Sequence, residues 1–129
     1  DTRFCTPSGL EIEGQPCFST AYDMARIMSV ALEYDAIREM MRTPAGTIIS
    51  SVDGVYTHEI LNTNELLDRY DGLIGTKTGF TPNAGYCLAA AYEDPESKKT
   101  IIGIMLDNPY RWRDVKTMFS WAIESYEWK

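Results

Sequence analysis

Apolar positions along the chain change spacing several times, and each change marks an element. Residues 1–18 hold Pro7, Gly9, Gly14 and Pro16 with little periodicity and read as an ordered or semi-ordered loop. Thr20 followed by Asp23 then resembles a capping box, the short acid standing in for the usual Glu. Met24, Ile27, Met28, Ala31 and Leu32 follow at helical spacing and make one apolar face. A second short helix over Asp35 to Arg42 is stopped by Thr43-Pro44-Ala45-Gly46.

Beyond that stop the pattern alternates. Thr47 to Val52 and Val55 to Ile60 flank Asp53-Gly54, a two-residue hairpin signal because a type I′ turn needs positive φ. Asn62-Thr63-Asn64 leads into a short helical segment, Glu65 to Tyr70. Three strands follow: Leu73 to Phe80, Gly85 to Tyr92 and Lys99 to Leu106. Their connections, Thr81-Pro82-Asn83 and Asp94-Pro95-Glu96-Ser97, are too short for crossovers, so the strands pair antiparallel. In the tail from Arg111 to Trp128, Trp112, Val115, Met118, Phe119, Ala122, Ile123 and Tyr126 share one helical stripe, which should lie across the sheet. The expected fold class is α+β: an antiparallel sheet with packed helices, in one unit spanning 1–129.

Composition narrows the function classes. With 44% hydrophobic and 24% charged residues among 129, the chain can bury a core and is not disordered as a whole. A net charge of -7 leaves no basic stripe for phosphates, which argues against a nucleic-acid partner. No run of about 18 apolar residues is present, so nothing in the sequence spans a bilayer as a helix. Three cysteines show no zinc-ligand spacing, and no metal or cofactor is expected. Cys5 and Cys17 share one loop. A disulfide there would stabilise by roughly 3 kcal/mol in the chain-entropy model, though reduced thiols read equally well. Cys87, in an apolar run, reads as buried. His58, with no nucleophile suggested beside it, carries no expected role, and the aromatic residues of the last helix, Trp112 and Trp121, read as core rather than ligand platform.

The chemistry concentrates in Gly75-Thr76-Lys77-Thr78-Gly79-Phe80-Thr81, on the first of the three late strands. A Lys-Thr-Gly tripeptide alone is common. Its surroundings add Phe4-Cys5-Thr6-Pro7-Ser8-Gly9-Leu10, Ser19-Thr20-Ala21-Tyr22-Asp23-Met24-Ala25, Asn62-Thr63-Asn64-Glu65-Leu66-Leu67, Tyr70-Asp71-Gly72-Leu73-Ile74-Gly75, and Arg111 ten residues before Trp121. In that order these blocks resemble the low-molecular-mass D-alanyl-D-alanine carboxypeptidases, penicillin-recognising serine peptidases, over almost the whole chain. The resemblance implies part of the β-lactamase/transpeptidase-like fold. It also implies a serine that attacks the D-Ala-D-Ala carbonyl, a lysine one helical turn later that takes its proton, and an acyl-enzyme that β-lactams make long-lived. The implied partners are peptidoglycan stem peptides ending in D-Ala-D-Ala and β-lactam antibiotics. The implied location is extracytoplasmic, in the cell envelope, with the full-length protein membrane-associated.

By the same resemblance, Lys77 sets the positive field of the cleft and assists proton transfer, and Thr78 donates its hydroxyl to the terminal carboxylate. Gly79 leaves room for substrate along the strand. Thr81 lines the cleft and offers a backbone N–H to the oxyanion, while Arg111 holds the terminal carboxylate with its planar fork. Arg113 is the neighbouring alternative if the register differs. Two positions depart from the family pattern: Cys17 stands where histidine is common, and Thr6 where asparagine is common. Neither belongs to a catalytic motif.

Neither Ser-x-x-Lys nor Ser-x-Asn occurs in the sequence. In the family both precede the Phe-x-Asn-Pro block, near which this chain begins. The expectation is therefore a C-terminal portion of a catalytic domain, inert alone and stable only beside its missing N-terminal half or as a homodimer. A monomer with high cooperative stability in ultracentrifugation and melting would contradict that. Two alternatives stand beside it: a portion of a class A β-lactamase, and a non-catalytic domain that binds cell-wall peptide.

Overall fold

The computed structural model describes residues 1–49, 56–67 and 69–126. In chain order the elements are α1 (Ala21–Ala31), α2 (Asp35–Arg42), β1 (Ala45–Ile49), β2 (Thr57–Leu61), β3 (Leu73–Thr81), β4 (Gly85–Glu93), β5 (Thr100–Met105) and α3 (Arg111–Ser125). β1 and β2 form an antiparallel pair, and β3, β4 and β5 form an antiparallel sheet in that order. The Asp53-Gly54 turn expected between the first two strands lies outside the described residues.

The N-terminal loop is ordered by three closures. Cys5 and Cys17 are disulfide-bonded, with Cα atoms 5.7 Å apart. Arg3 and Phe18 exchange backbone bonds of 2.8 and 3.1 Å, and Gln15 N–H donates to the Ile12 carbonyl at 3.0 Å. Helix α1 starts where expected: Thr20 Oγ1 accepts the Asp23 N–H at 3.0 Å. The Asp23 carboxylate does not complete the box but accepts from Thr2 Oγ1 at 2.7 Å, tying the loop to the helix. Only part of the expected apolar face is used. Met28 is buried and Met24 and Leu32 half-buried, while Ile27 is 43% exposed. A narrow stripe at intervals of four meets the sheet, and Ile27 falls beside it.

The expected helix over 65–70 is not seen among its described residues, which form turns and a bend. Asn64 Oδ1 takes the Leu66 N–H at 2.9 Å, and Asn62 Oδ1 takes the Asn64 N–H at 3.0 Å. The Asn64 bond is of the kind that caps a helix start, but Arg69 N–H returns to the Leu66 carbonyl three residues back, at 3.1 Å, as in a turn.

Both faces of the late sheet are covered at its inner end. Leu73, Leu88, Ala90, Tyr92 and Ile101 pack against Val115, Phe119 and Ala122 of α3. Ala89 and Ala91, with Ile74, Ile102 and Ile104, pack against Met28 of α1, Leu32 at its C-cap and Met41 of α2. This two-sided burial explains the unbroken apolar run of β4, since each alternate residue meets a different layer. Gly103 lets α3 approach: a Cβ there would lie 2.5 Å from Met118 Cε and 3.1 Å from both Phe119 Cε1 and Val115 Cγ2. α3 stops at Ser125, so Tyr126 leaves the stripe and is 53% exposed; Trp121, read as core, is 54% exposed on the outer face.

Candidate active site

Strand β3 changes character along its length. Leu73, Gly75 and Thr76 are buried, whereas Lys77, Gly79 and Phe80 are exposed and Thr78 is half-buried. The register against β4 shifts between Leu73 and Gly75, with Leu73 opposite Tyr92 and Gly75 opposite Ala91. Ile74 is thus the extra residue of a β-bulge. Strict alternation from Leu73 would place Lys77 on the α3 face. After the bulge Lys77, opposite Ala89, falls on the α1 face, and Thr76 and Thr78 fall on the α3 face. Gly75 within a strand pattern was the available sequence signal for this irregularity.

The exposed half of β3 lines an open cleft of about 890 Å³. Lys77, Thr78, Gly79 and Phe80 form one wall, and the loop Phe4–Gly9 faces them. Cys87 also lines it, half-buried and free, and so is not the buried thiol expected. Its position opposite Gly79 at the open end of the sheet leaves it beyond the covering helices. A Cβ on Gly79 would lie 3.7 Å from Cys87 Cβ, an ordinary contact, so packing does not require glycine there.

Hydroxyls and amides fix the strand from its outer edge. Asn64 Nδ2 donates to Thr76 Oγ1 at 2.6 Å, both residues buried. Thr63 Oγ1 and Thr78 Oγ1 share a hydrogen bond of 2.8 Å. Asn62 anchors this segment by donating from Nδ2 to the Thr43 carbonyl at 3.1 Å. The Lys77 ammonium donates to the Thr78 carbonyl. Thr81 stands apart from the cleft lining. Its hydroxyl donates to Glu11 and accepts the Ala84 N–H at 3.1 Å.

The two arginines at the start of α3 differ. The Arg113 Nε donates to Asp114 Oδ1 at 2.7 Å, and its guanidinium lies 4.6 Å from the Tyr110 ring centroid. That pairing, together with the Asn108 amide 2.9 Å from Asp114 Oδ2, holds the Asp114 carboxyl below its ordinary range. Arg111 instead stacks between Tyr86 and Trp112, 4.9 and 4.7 Å from their centroids. Its Nε and Nη1 are buried with no hydrogen-bond partner among the described residues. A buried guanidinium without an acceptor is costly, and an anion would satisfy it. Tyr86 in turn packs on Phe80 at 4.6 Å, so this cation sits beside the open end of β3. Among the described residues no cluster of His, Cys, Asp or Glu could hold a metal ion.

A fold with this sheet, these helices and this edge strand is that of the penicillin-binding DD-peptidases. A D-alanyl-D-alanine carboxypeptidase crystal structure from Mycobacterium tuberculosis matches with a TM-score of 0.82 at 28% identity, over 97% of this chain and 48% of that one. A penicillin-binding protein of Listeria monocytogenes in its ampicillin-bound form matches at 0.77 and 30% identity, over 92% of this chain and 47% of that one. In sequence, the family model described as D-alanyl-D-alanine carboxypeptidase matches residues 1–109. The D-alanyl-D-alanine carboxypeptidase DacF of Bacillus subtilis is 32% identical over 98% of this chain and 32% of its own length. The chain belongs to the D-alanyl-D-alanine carboxypeptidase family, and it spans about a third to a half of the relatives it matches.

Proposed function

We propose that this chain supplies the Lys77–Gly79 wall and the loop facing it in the active cleft of a serine-type D-Ala-D-Ala carboxypeptidase, which trims peptidoglycan stem peptides through an acyl-enzyme and is acylated by β-lactams. The observation that carries the reading is the Lys77-Thr78-Gly79 run, exposed on an edge strand and lining an open cleft inside a fold shared with penicillin-binding proteins. The nucleophile and its lysine come from a Ser-x-x-Lys segment outside these residues, since no such spacing occurs among them.

Each residue then has a physical role. The Lys77 ammonium supplies positive potential where negative charge develops on the substrate and assists proton transfer. The Thr78 hydroxyl donates to the terminal carboxylate, its rotor set by Thr63. Gly79 keeps the strand edge free of a side chain for the substrate backbone. Thr81 follows the wall at its outer end, and we assign its backbone N–H to the oxyanion. Arg111, with two buried donors unpaired, binds the carboxylate; Arg113 is already committed to Asp114. The functioning protein works outside the cytoplasm, where its peptidoglycan substrate lies.

Intact mass before and after incubation with benzylpenicillin tests the reading. The full-length protein should gain one penicilloyl mass, and the 129-residue chain alone should gain none. A full-length protein that stays unmodified sinks the proposed chemistry, and an adduct on the isolated chain sinks the placement of the nucleophile.

A further inference from the structure

The side chain that joins the two walls of the cleft belongs to no motif. Glu11 sits in the loop closed by the Cys5–Cys17 disulfide, seventy positions from the end of β3. One carboxylate oxygen accepts from the Thr81 hydroxyl, and the other accepts from Asn83 Nδ2 at 2.6 Å. The Thr81 hydroxyl also accepts the Ala84 N–H at 3.1 Å, so a single carboxylate ties the whole β3–β4 turn to the loop. That turn is sharp: Gly85 has φ +64, and any Cβ there would lie 1.9 Å from Asp107 Oδ1. The same loop presents Phe4 to Gly9 to the cleft. Two surfaces that must keep a fixed separation around a substrate are therefore connected by the disulfide at the base of the loop and by Glu11 at its tip.

We propose that Glu11 is a positioning residue for acylation, holding the Thr81 end of the Lys77–Gly79 strand at a set distance from the Phe4–Gly9 wall. This rests on the reading of that strand as an active-site wall. Glu11 touches no reacting atom. It acts through Thr81 and Asn83, and what it provides is two acceptors in a fixed plane rather than charge alone. The disulfide limits where the loop can carry that carboxylate, so the covalent closure and the polar contact work in series.

Stopped-flow acylation of the full-length protein by benzylpenicillin, with the rate constant separated from initial binding, tests this. Glu11→Ala should slow acylation roughly five- to tenfold, with initial binding within about twofold, as expected when one exposed charge-assisted pair is lost. Glu11→Gln should recover to within about twofold, because its carbonyl can accept from Thr81 while its amide donates to a flipped Asn83. Glu11→Ala/Asn83→Ala should be no slower than Glu11→Ala alone, the non-additivity of groups acting as a unit. Wild-type acylation by Glu11→Ala, additive losses in the pair, or failure of Glu11→Gln to recover would each overturn the proposal. Amide exchange at Ala84 reports on the contact apart from chemistry. If the wild-type protein is not acylated at all, the functional reading falls by itself. The latch then stands if Glu11→Ala speeds Ala84 exchange while leaving 101–103 unchanged, and falls if it does not.

Discussion

The two ends of the β3–β4–β5 sheet are built from the same three strands to opposite purposes. At the inner end both faces are sealed: Ala90, Ala91, Val115 and Phe119 are completely buried and Leu88 nearly so. At the outer end Phe80 is 58% exposed and Tyr86 45%, and Lys77 and Gly79 face the cleft. The change falls within β3 itself, between Thr76 and Lys77. Continuous strand pairing carries the rigidity of the sealed end into the open one. The exposed groups can therefore be chosen for chemistry rather than for packing. The polar edge contacts from Asn64 and Thr63 straddle that boundary, one to each half.

Substitutions that confuse the two ends should have the largest effects. Phe119→Ala removes a fully buried ring against Tyr92 and Tyr70, and it should destabilise by about 3–5 kcal/mol in denaturant titration. A loss below about 1 kcal/mol would mean that the inner end is not the stabilising one. Lys77→Ala should leave the melting temperature nearly unchanged but slow penicillin acylation by at least about a hundredfold, the scale of lost transition-state electrostatics. Gly79→Ala sharpens the contrast, because its Cβ makes only an ordinary contact with Cys87. Stability should hold while acylation falls roughly tenfold, and equal acylation would show that no ligand approaches that edge. Arg111→Lys keeps the charge but loses the fork, and should raise the apparent KM for a D-Ala-D-Ala peptide about tenfold with little change in kcat.

The smallest expected effect is on pH dependence at the sealed end. Asp94 caps the β4–β5 turn by accepting the Ser97 N–H at 2.9 Å, and hydrogen bonds from Ser97 hold its carboxyl below the ordinary value of 3.8. Its folded pKa is depressed, so its contribution to stability is present above that ordinary value and disappears as pH falls below it. Asp94→Asn should flatten this acid limb of the melting profile and leave the profile at neutral pH unaltered in shape.

Much of this architecture was legible as pattern. Helix α2 runs over the expected residues, β3 and β4 each extend one residue further than the alternation indicated, and β5 is trimmed by one at each end. Thr20 caps α1 as its neighbours imply. The family, too, was visible in ordered blocks. Less legible were features decided by side chains far apart in sequence. The segment after Asn64 has helical composition and a capping asparagine, yet its described residues form turns, with Arg69 N–H returning to the Leu66 carbonyl. Ile27 and Trp121 have helical spacing for burial yet face outward, since the width of a buried stripe depends on what lies opposite. Glu11 carried no pattern and Thr63 only a place in one of those blocks, and only the approach of the loop and the β2 exit to β3 gives them partners.

By itself the sequence determined most of the elements, the antiparallel order of the late strands and the identity of the Lys77-Thr78-Gly79 wall. Those are set by local period, short connections and motif chemistry, all properties of neighbouring residues. Only the tertiary structure decided which way Lys77 points, because one bulge residue at Ile74 exchanges the faces of everything after it. It alone separated Arg111 from Arg113, since Arg113 is paired with Asp114 while Arg111 keeps two buried N–H donors without a partner among the described residues. Face and partnership depend on register and on distant surfaces, and a one-dimensional pattern carries neither.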